Sequence, residues 1–179
     1  MKIIVVGMDN SGKTTLCDDL TYKLKAVHVE PMGPGKSRKM MLDNILLYME
    51  RDDNVIFERF SIFEELVYGR VLRGESKFTF DDINLIRKYK PIIIYCRPSN
   101  EVIFNFGKRP QMKGVKEEKE KLLKAWDELI FDSLSGFKII KYDYTRDKLG
   151  NLLPGGIYNE YYTRDDGDNS GRKPISYIL

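Results

Sequence analysis

Gly7-Met8-Asp9-Asn10-Ser11-Gly12-Lys13-Thr14 carries the spacing G-x-x-x-x-G-K-[ST], in which each fixed residue type has a task on a phosphate. Gly7 and Gly12 free the backbone to turn its N–H groups inward around an anion. Lys13 is placed to reach the β/γ-phosphates of a nucleoside triphosphate, and the Thr14 hydroxyl to hold Mg²⁺. Asp9, Asn10, Ser11 and Thr15 complete the loop expected to cradle ATP. Two further polar pairs stand where apolar runs end: Glu30-Pro31 after Val27-His28-Val29, and Glu58-Arg59 after Val55-Ile56-Phe57. A carboxylate at Glu58 could serve Mg²⁺ or orient an acceptor, and the Arg59 guanidinium could grip a phosphate bidentately. Between Lys108 and Lys124 the chain holds six lysines and one arginine against three glutamates. The opening part of that run has Pro110 and Gly114 as hinges, which suits a mobile basic lid over about 107–116. In such a lid Arg109, with Lys113 as the alternate, would neutralise charge developing on a transferred phosphoryl group and help exclude water.

These residues need a scaffold of alternating strands and helices. Ile3-Ile4-Val5-Val6 reads as a buried parallel strand. Leu16, Leu20 and Leu24 at helical spacing place a helix after the loop, with its positive end toward the bound anion. Ala26–Val29 is a short second strand. Ser37 can cap a helix to about Arg51. A strongly apolar helix is expected from Ser61 to about Arg73, and another, capped by Thr79 or Asp81, to about Lys88. Pro91–Cys96 is the clearest buried strand. Ser99 opens a short helix to Phe106. Val115, Leu122, Trp126 and Leu129 mark one face of a long helix to about Leu134. Phe137–Tyr142 is the fifth strand. The alternation predicts a five-stranded parallel sheet with helices on both faces, so ligands should bind beyond the carboxyl ends of the strands.

The chain has 179 residues, 42% apolar and 32% charged, with a net charge of +3. That charge is too small to argue for a nucleic-acid partner by itself. The longest apolar runs fall far short of the ~20 residues that cross a bilayer, so no membrane role is expected. A first strand opening at residue 2 leaves no room for a signal or transit peptide. Cys17 and Cys96 belong to no metal-like cluster and read as reduced core thiols. A cytoplasmic location is therefore expected. Phe60 and Tyr68 could stack on a base or simply be core. His28 reads as a structural strand residue, and no histidine or cysteine constellation argues for a metal site or nucleophilic catalysis. Residues 149–179, rich in Gly, Asn, Asp and Tyr, are expected to form an irregular extension of one domain spanning 1–148.

In these motifs the chain resembles the thymidylate kinase-like branch of the P-loop nucleoside and nucleotide kinases. That family has a loop like G-x-D-G-x-G-K-[ST]-T, matched by Gly7 to Thr15 with Asn10 in place of the middle glycine. Its second strand ends in R-E-P-G-G, matched here by Val29-Glu30-Pro31-Met32-Gly33 without the arginine. Its third ends in D-R-[YF], of which Glu58-Arg59-Phe60 is a variant. Deoxynucleoside kinases carry E-R-S and E-P-V at these places. The runs Glu58 to Gly69 and Arg109 to Val115 look most like phage-encoded deoxynucleotide kinase-like proteins. The similarity covers roughly residues 1 to 145.

The resemblance implies a P-loop NTPase three-layer α/β sandwich with strand order 2-3-1-4-5, acting as an ATP-dependent nucleotide kinase. It implies that Lys13 and Thr14 serve the donor phosphates and Mg²⁺, and that Asp9 approaches the sugar 3′-hydroxyl or the metal shell. Arg59 would hold the acceptor phosphate, with Glu58 in the place of the family's D-R aspartate. Because Asn10 is not an arginine, the catalytic arginine is expected from the lid. Family members are usually homodimers. The leading reading is transfer to a deoxynucleoside monophosphate, dTMP or a related pyrimidine nucleotide, with Phe60 and Tyr68 at the substrate. Its rival is a deoxynucleoside kinase with Glu30 as base to the 5′-hydroxyl. A kinase acting on a modified base in DNA is a third reading, to which the lid and Arg164, Arg172 and Lys173 would contribute. A nucleotide-binding switch without transfer is a fourth, and it leaves Arg59 and Arg109 without a task.

Overall fold

A computed structural model of the chain describes residues 1–107 and 111–147. Arg109, part of the expected lid, and the extension at 149–179 lie outside the described residues. Five strands, β1 (Lys2–Val6), β2 (Val27–Val29), β3 (Val55–Glu58), β4 (Ile92–Cys96) and β5 (Lys138–Tyr142), form one sheet in the order β2-β3-β1-β4-β5. Every pairing is parallel. The sheet is thus the five-stranded parallel sheet expected from the alternation, in the strand order that the resemblance implies.

Parallel strands need helical crossovers, and these cover both faces. Helix α1 (Lys13–Leu24) packs on one face, where Leu16, Cys17 and Leu20 meet Ile3, Val5, Ile56, Ile94 and Cys96. The larger cluster on the other face joins α2 (Arg38–Met49), α3 (Ser61–Glu64), a π-helical turn at Glu65–Gly69, α4 (Arg70–Arg73) and α7 (Lys119–Glu128). Between them in sequence lie α5 (Asn84–Arg87) and α6 (Asn100–Phe104). Trp126, fully buried, stacks on Tyr95 and meets Tyr68 edge-on.

Local signals set most boundaries. Ser37 Oγ accepts from the Met40 N–H and starts α2 one residue later. Thr79, not Asp81, is the cap of the next segment, in a reciprocal capping box with Asp82. Ser99 occupies the N-cap of α6 without a side-chain capping hydrogen bond. Two expected helices differ from expectation. The 61–73 helix runs through the π turn rather than staying α throughout, and the long final helix begins only at Lys119 and closes in a π turn at Leu129–Ser133. Gly114 in the left-handed region, with φ of 89°, breaks the helical path that Val115 suggested. No helix among the described residues is long and apolar enough to cross a membrane.

Candidate active site

Gly7 leaves β1 with φ of 138°, and a Cβ there would stand 2.4 Å from the Cys96 carbonyl oxygen. Gly12 caps α1 at φ of 84°, under the Tyr144 ring. The loop between them turns as an anion cradle requires. Ser11 is fully buried within it. The Lys13 ammonium is buried and donates to the carbonyl oxygens of Gly7 and Met8, at 2.8 and 2.5 Å. Burial, reinforced by the Arg59 charge and opposed by Glu64 and Asp9, pulls the Lys13 pKa below the ordinary lysine value. The ammonium is thus held by the loop's own carbonyl oxygens. Thr14 and Thr15 stand exposed on the first turn of α1.

Thr14 Oγ1 donates to Glu58 Oε1 at 2.6 Å. A hydroxyl on the loop and a carboxylate ending β3 thus share one spot, the oxygen-only donor set that suits Mg²⁺. The residues fit that ion. Asn10 departs from its expected direction. Its backbone sits at φ of 65°, a conformation asparagine tolerates, and its side chain donates to the carbonyl oxygens of Val102 and Asn105 at 2.7 and 2.9 Å. It therefore ties the loop to α6 and the root of the lid segment, and its side chain is spent on that tie.

Arg59 is the junction between loop and cavity. It turns out of β3 in the left-handed region, φ 56°, a strained choice for a side chain of this size. Its guanidinium donates to Asp9 Oδ1 at 2.5 Å and lies 3.7 Å from Glu64 Oε2. Burial alone would lower the Arg59 pKa, but Glu64 and Asp9 outweigh it and raise the guanidinium above its ordinary range. The Asp9 N–H donates to Tyr68 Oη at 3.3 Å, so Tyr68 supports the loop while lining the space beside Arg59. Phe60 does not reach that space. It is buried edge-on between Phe57 and Phe63.

The space is a cavity of about 240 Å³ lined by Pro31–Pro34, Met41, Arg59, Glu64, Glu65, Tyr68, Arg73 and Met112. Lys77 pins its outer wall by donating to the carbonyl oxygens of Pro34 and Lys36. The π turn sets its inner wall: an extra residue per turn brings Glu65 inward, paired to Arg73 at 2.7 Å. Met112 brings the described part of the lid segment to the cavity, while Lys113 is exposed. Glu30 is exposed just past β2, directly before the lining residue Pro31. Glu64, Glu65 and Arg73 were not singled out in the sequence, where they read as ordinary charges on an apolar helix.

Burial pushes the Glu64 carboxyl up to about 7, against the opposing pull of Arg59 and Lys13. Glu64 Oε1 has no hydrogen-bond partner among the described residues. A folded-state pKa above the unfolded one gives stability that is complete below the unfolded value of 4.5 and is lost as pH rises through about 7. Wild type is therefore expected to lose on the order of 2 kcal/mol through this group between about pH 5 and pH 8. Denaturant melts at both pH values check this. Glu64→Gln should remove that part of the pH dependence, and an unchanged slope would contradict it.

Strand register corrects one expectation. His28 sits opposite Ile56 in the parallel β2–β3 pairing, on the face from which Glu58 also emerges two residues later. Cys17 on α1 packs against the same face. Candidate ligand atoms of Cys17, His28 and Glu58 all lie within 4.8 Å of one another, so a histidine–cysteine constellation does exist. Cys96 is a buried free thiol, as expected.

No protein-family model matches the sequence, and a comparison with curated proteins finds no match. Solved structures do resemble it. The YorR protein from Bacillus subtilis, in complex with phosphorylated GDP, is 20% identical with a TM-score of 0.67, over 83% of this chain and 89% of that one. Deoxyadenosine kinase from M. mycoides with bound dATP is 21% identical with a TM-score of 0.55, over 82% and 92%. Shikimate kinase from Acinetobacter baumannii in complex with shikimate is 15% identical with a TM-score of 0.53, over 84% and 87%. At these identities the likeness is one of fold, the fold of P-loop kinases.

Proposed function

We propose that the protein is a nucleotide kinase, moving the γ-phosphoryl group of ATP to a deoxynucleoside monophosphate, dTMP or a related pyrimidine nucleotide. The observation that carries this reading is Arg59, held between Asp9 of the phosphate loop and the cavity. A guanidinium there can bind an acceptor phosphate on the cavity side while the donor lies along the loop. The cavity's 240 Å³ lies below the usual range for ligand sites, and this reading therefore takes the smaller, one-ring base. Tyr68 and the methionine walls supply its apolar contacts.

The chain's own residues supply positioning and charge. The loop N–H groups and Lys13 hold the donor phosphates, and Thr14 and Glu58 would hold Mg²⁺. That ion, when bound, neutralises charge on the phosphates. Asp9 fixes Arg59 and approaches the acceptor sugar. Arg109 from the lid would cover the transferring group and exclude water. A monophosphate oxygen is already ionised at neutral pH, so no strong base is needed. Assembly as a homodimer belongs to the same proposal, with Met40 and Leu47, half-exposed or more on one side of α2, as apolar surface available to it.

Glu30, adjacent to the cavity wall, favours one rival, a deoxynucleoside kinase using it as base to a 5′-hydroxyl. The fold likeness to a deoxyadenosine kinase makes that rival concrete. Coupled ADP release against a panel of nucleosides and their 5′-monophosphates, in wild type and Glu30→Gln, separates them. Turnover of a monophosphate that survives Glu30→Gln is the expected result. Turnover confined to free nucleosides and lost in Glu30→Gln would replace this reading with the rival.

A further inference from the structure

Glu58 uses only one oxygen on Thr14. Its other oxygen, Oε2, lies 3.3 Å from His28 Nε2, yet that ring nitrogen is buried with no hydrogen-bond partner among the described residues. These two ligand atoms, in ion-pair contact but not aligned for a hydrogen bond, have the spacing of neighbours on a tetrahedral metal. Zn–N and Zn–O bonds of about 2.0–2.1 Å place the two atoms about 3.3 Å apart. The third candidate, Cys17 Sγ, lies within 4.8 Å of both. A Zn–S bond of about 2.3 Å asks for about 3.6 Å, so Sγ must close by no more than about 1.2 Å.

We propose that Cys17, His28 and Glu58 form a Zn²⁺ site on the α1 face of the sheet, behind the phosphate loop, and that Zn²⁺ bound there inhibits the enzyme. One thiolate, one carboxylate and one neutral imidazole balance the dication's charge. Sulfur with nitrogen and oxygen suits zinc, whereas Mg²⁺ takes oxygen ligands. Binding breaks the Cys17 S–H bond, sends that proton to solvent, and forms Zn–S, Zn–N and Zn–O bonds, with water in the fourth position. Inhibition follows because Glu58, with its charge drawn to Zn²⁺ through Oε2, has less to offer Thr14 and the Mg²⁺ position through Oε1. This last step rests on the kinase reading; the metal site does not.

Co²⁺ is the probe, added to the full-length protein. One equivalent should produce a thiolate-to-cobalt charge-transfer band that Zn²⁺ displaces. Cys17→Ser and His28→Gln should each weaken Zn²⁺ binding about 100-fold against a chromophoric chelator, while Cys96→Ser should leave it unchanged. Two separate ligand variants guard against one failing to fold, which circular dichroism reports. No band in wild type, or a band that survives both ligand variants, overturns the site. In kinase assays with Mg·ATP, submicromolar free Zn²⁺ set by a metal buffer should inhibit wild type and spare Cys17→Ser. Zinc binding without zinc inhibition of an active enzyme overturns the inhibitory role. A band with no kinase activity on any acceptor contradicts the kinase reading and leaves the metal site standing.

Discussion

Lys13→Ala is expected to lower kcat for phosphoryl transfer by about 10³-fold, equivalent to about 4 kcal/mol of lost transition-state stabilisation. Lys13 is the buried cation of the loop, and the carbonyls of Gly7 and Met8 that hold it now are groups a phosphate would displace. Its charge matters most when negative charge is moving between donor and acceptor oxygens, so kcat should fall further than acceptor KM rises. Lys13→Arg keeps the charge but needs room that the loop does not have, and it should not restore activity. Steady-state kinetics on both variants, with melts to confirm folding, check this. Transfer by Lys13→Ala within tenfold of wild type would contradict the role.

The second large effect belongs to Arg59. Arg59→Ala should cut kcat/KM for a monophosphate acceptor by about 10³-fold, chiefly through KM, because the fork proposed to bind the acceptor phosphate is gone. It should also destabilise the fold by about 2–3 kcal/mol. Asp9 and Glu64, both largely buried, would face each other without their shared cation. Two observations separate these effects. Arg59→Lys should recover much of the stability but little of the affinity, since an ammonium cannot present two parallel N–H groups. At low pH, where Glu64 is protonated, the stability cost of Arg59→Ala should shrink. An Arg59→Ala variant with normal KM for monophosphates would place the acceptor elsewhere.

The glycine loop's conformation and the sheet were legible because they are local. A β-branched run, a glycine loop and a leucine stripe occupy consecutive residues between Ile3 and Leu24, and each later strand is a compact apolar run. Glu58-Arg59 was legible for the same reason, as charged residues at the end of such a run. What sequence could not show depends on packing between segments. The π turn at Glu65–Gly69 arises inside a stretch that reads as ordinary helix, and its first residue, Glu65, lines the cavity. Phe60 and Tyr68 look equivalent as aromatics, yet one is locked among Phe57 and Phe63 and the other lines the cavity. Asn10 looks like a loop residue, but its partners, Val102 and Asn105, are more than 90 positions away. The meeting of Cys17, His28 and Glu58 needs three elements and one strand register at once.

Acceptor-dependent ADP formation tests phosphoryl transfer most directly. The purified protein is given ATP and Mg²⁺, and ADP is measured with and without dTMP and the other deoxynucleoside monophosphates. The expected result is ADP formed only when an acceptor is present, matched one for one by the acceptor diphosphate. ADP formed at the same rate without any acceptor, or no turnover with any nucleoside or nucleotide, would contradict it.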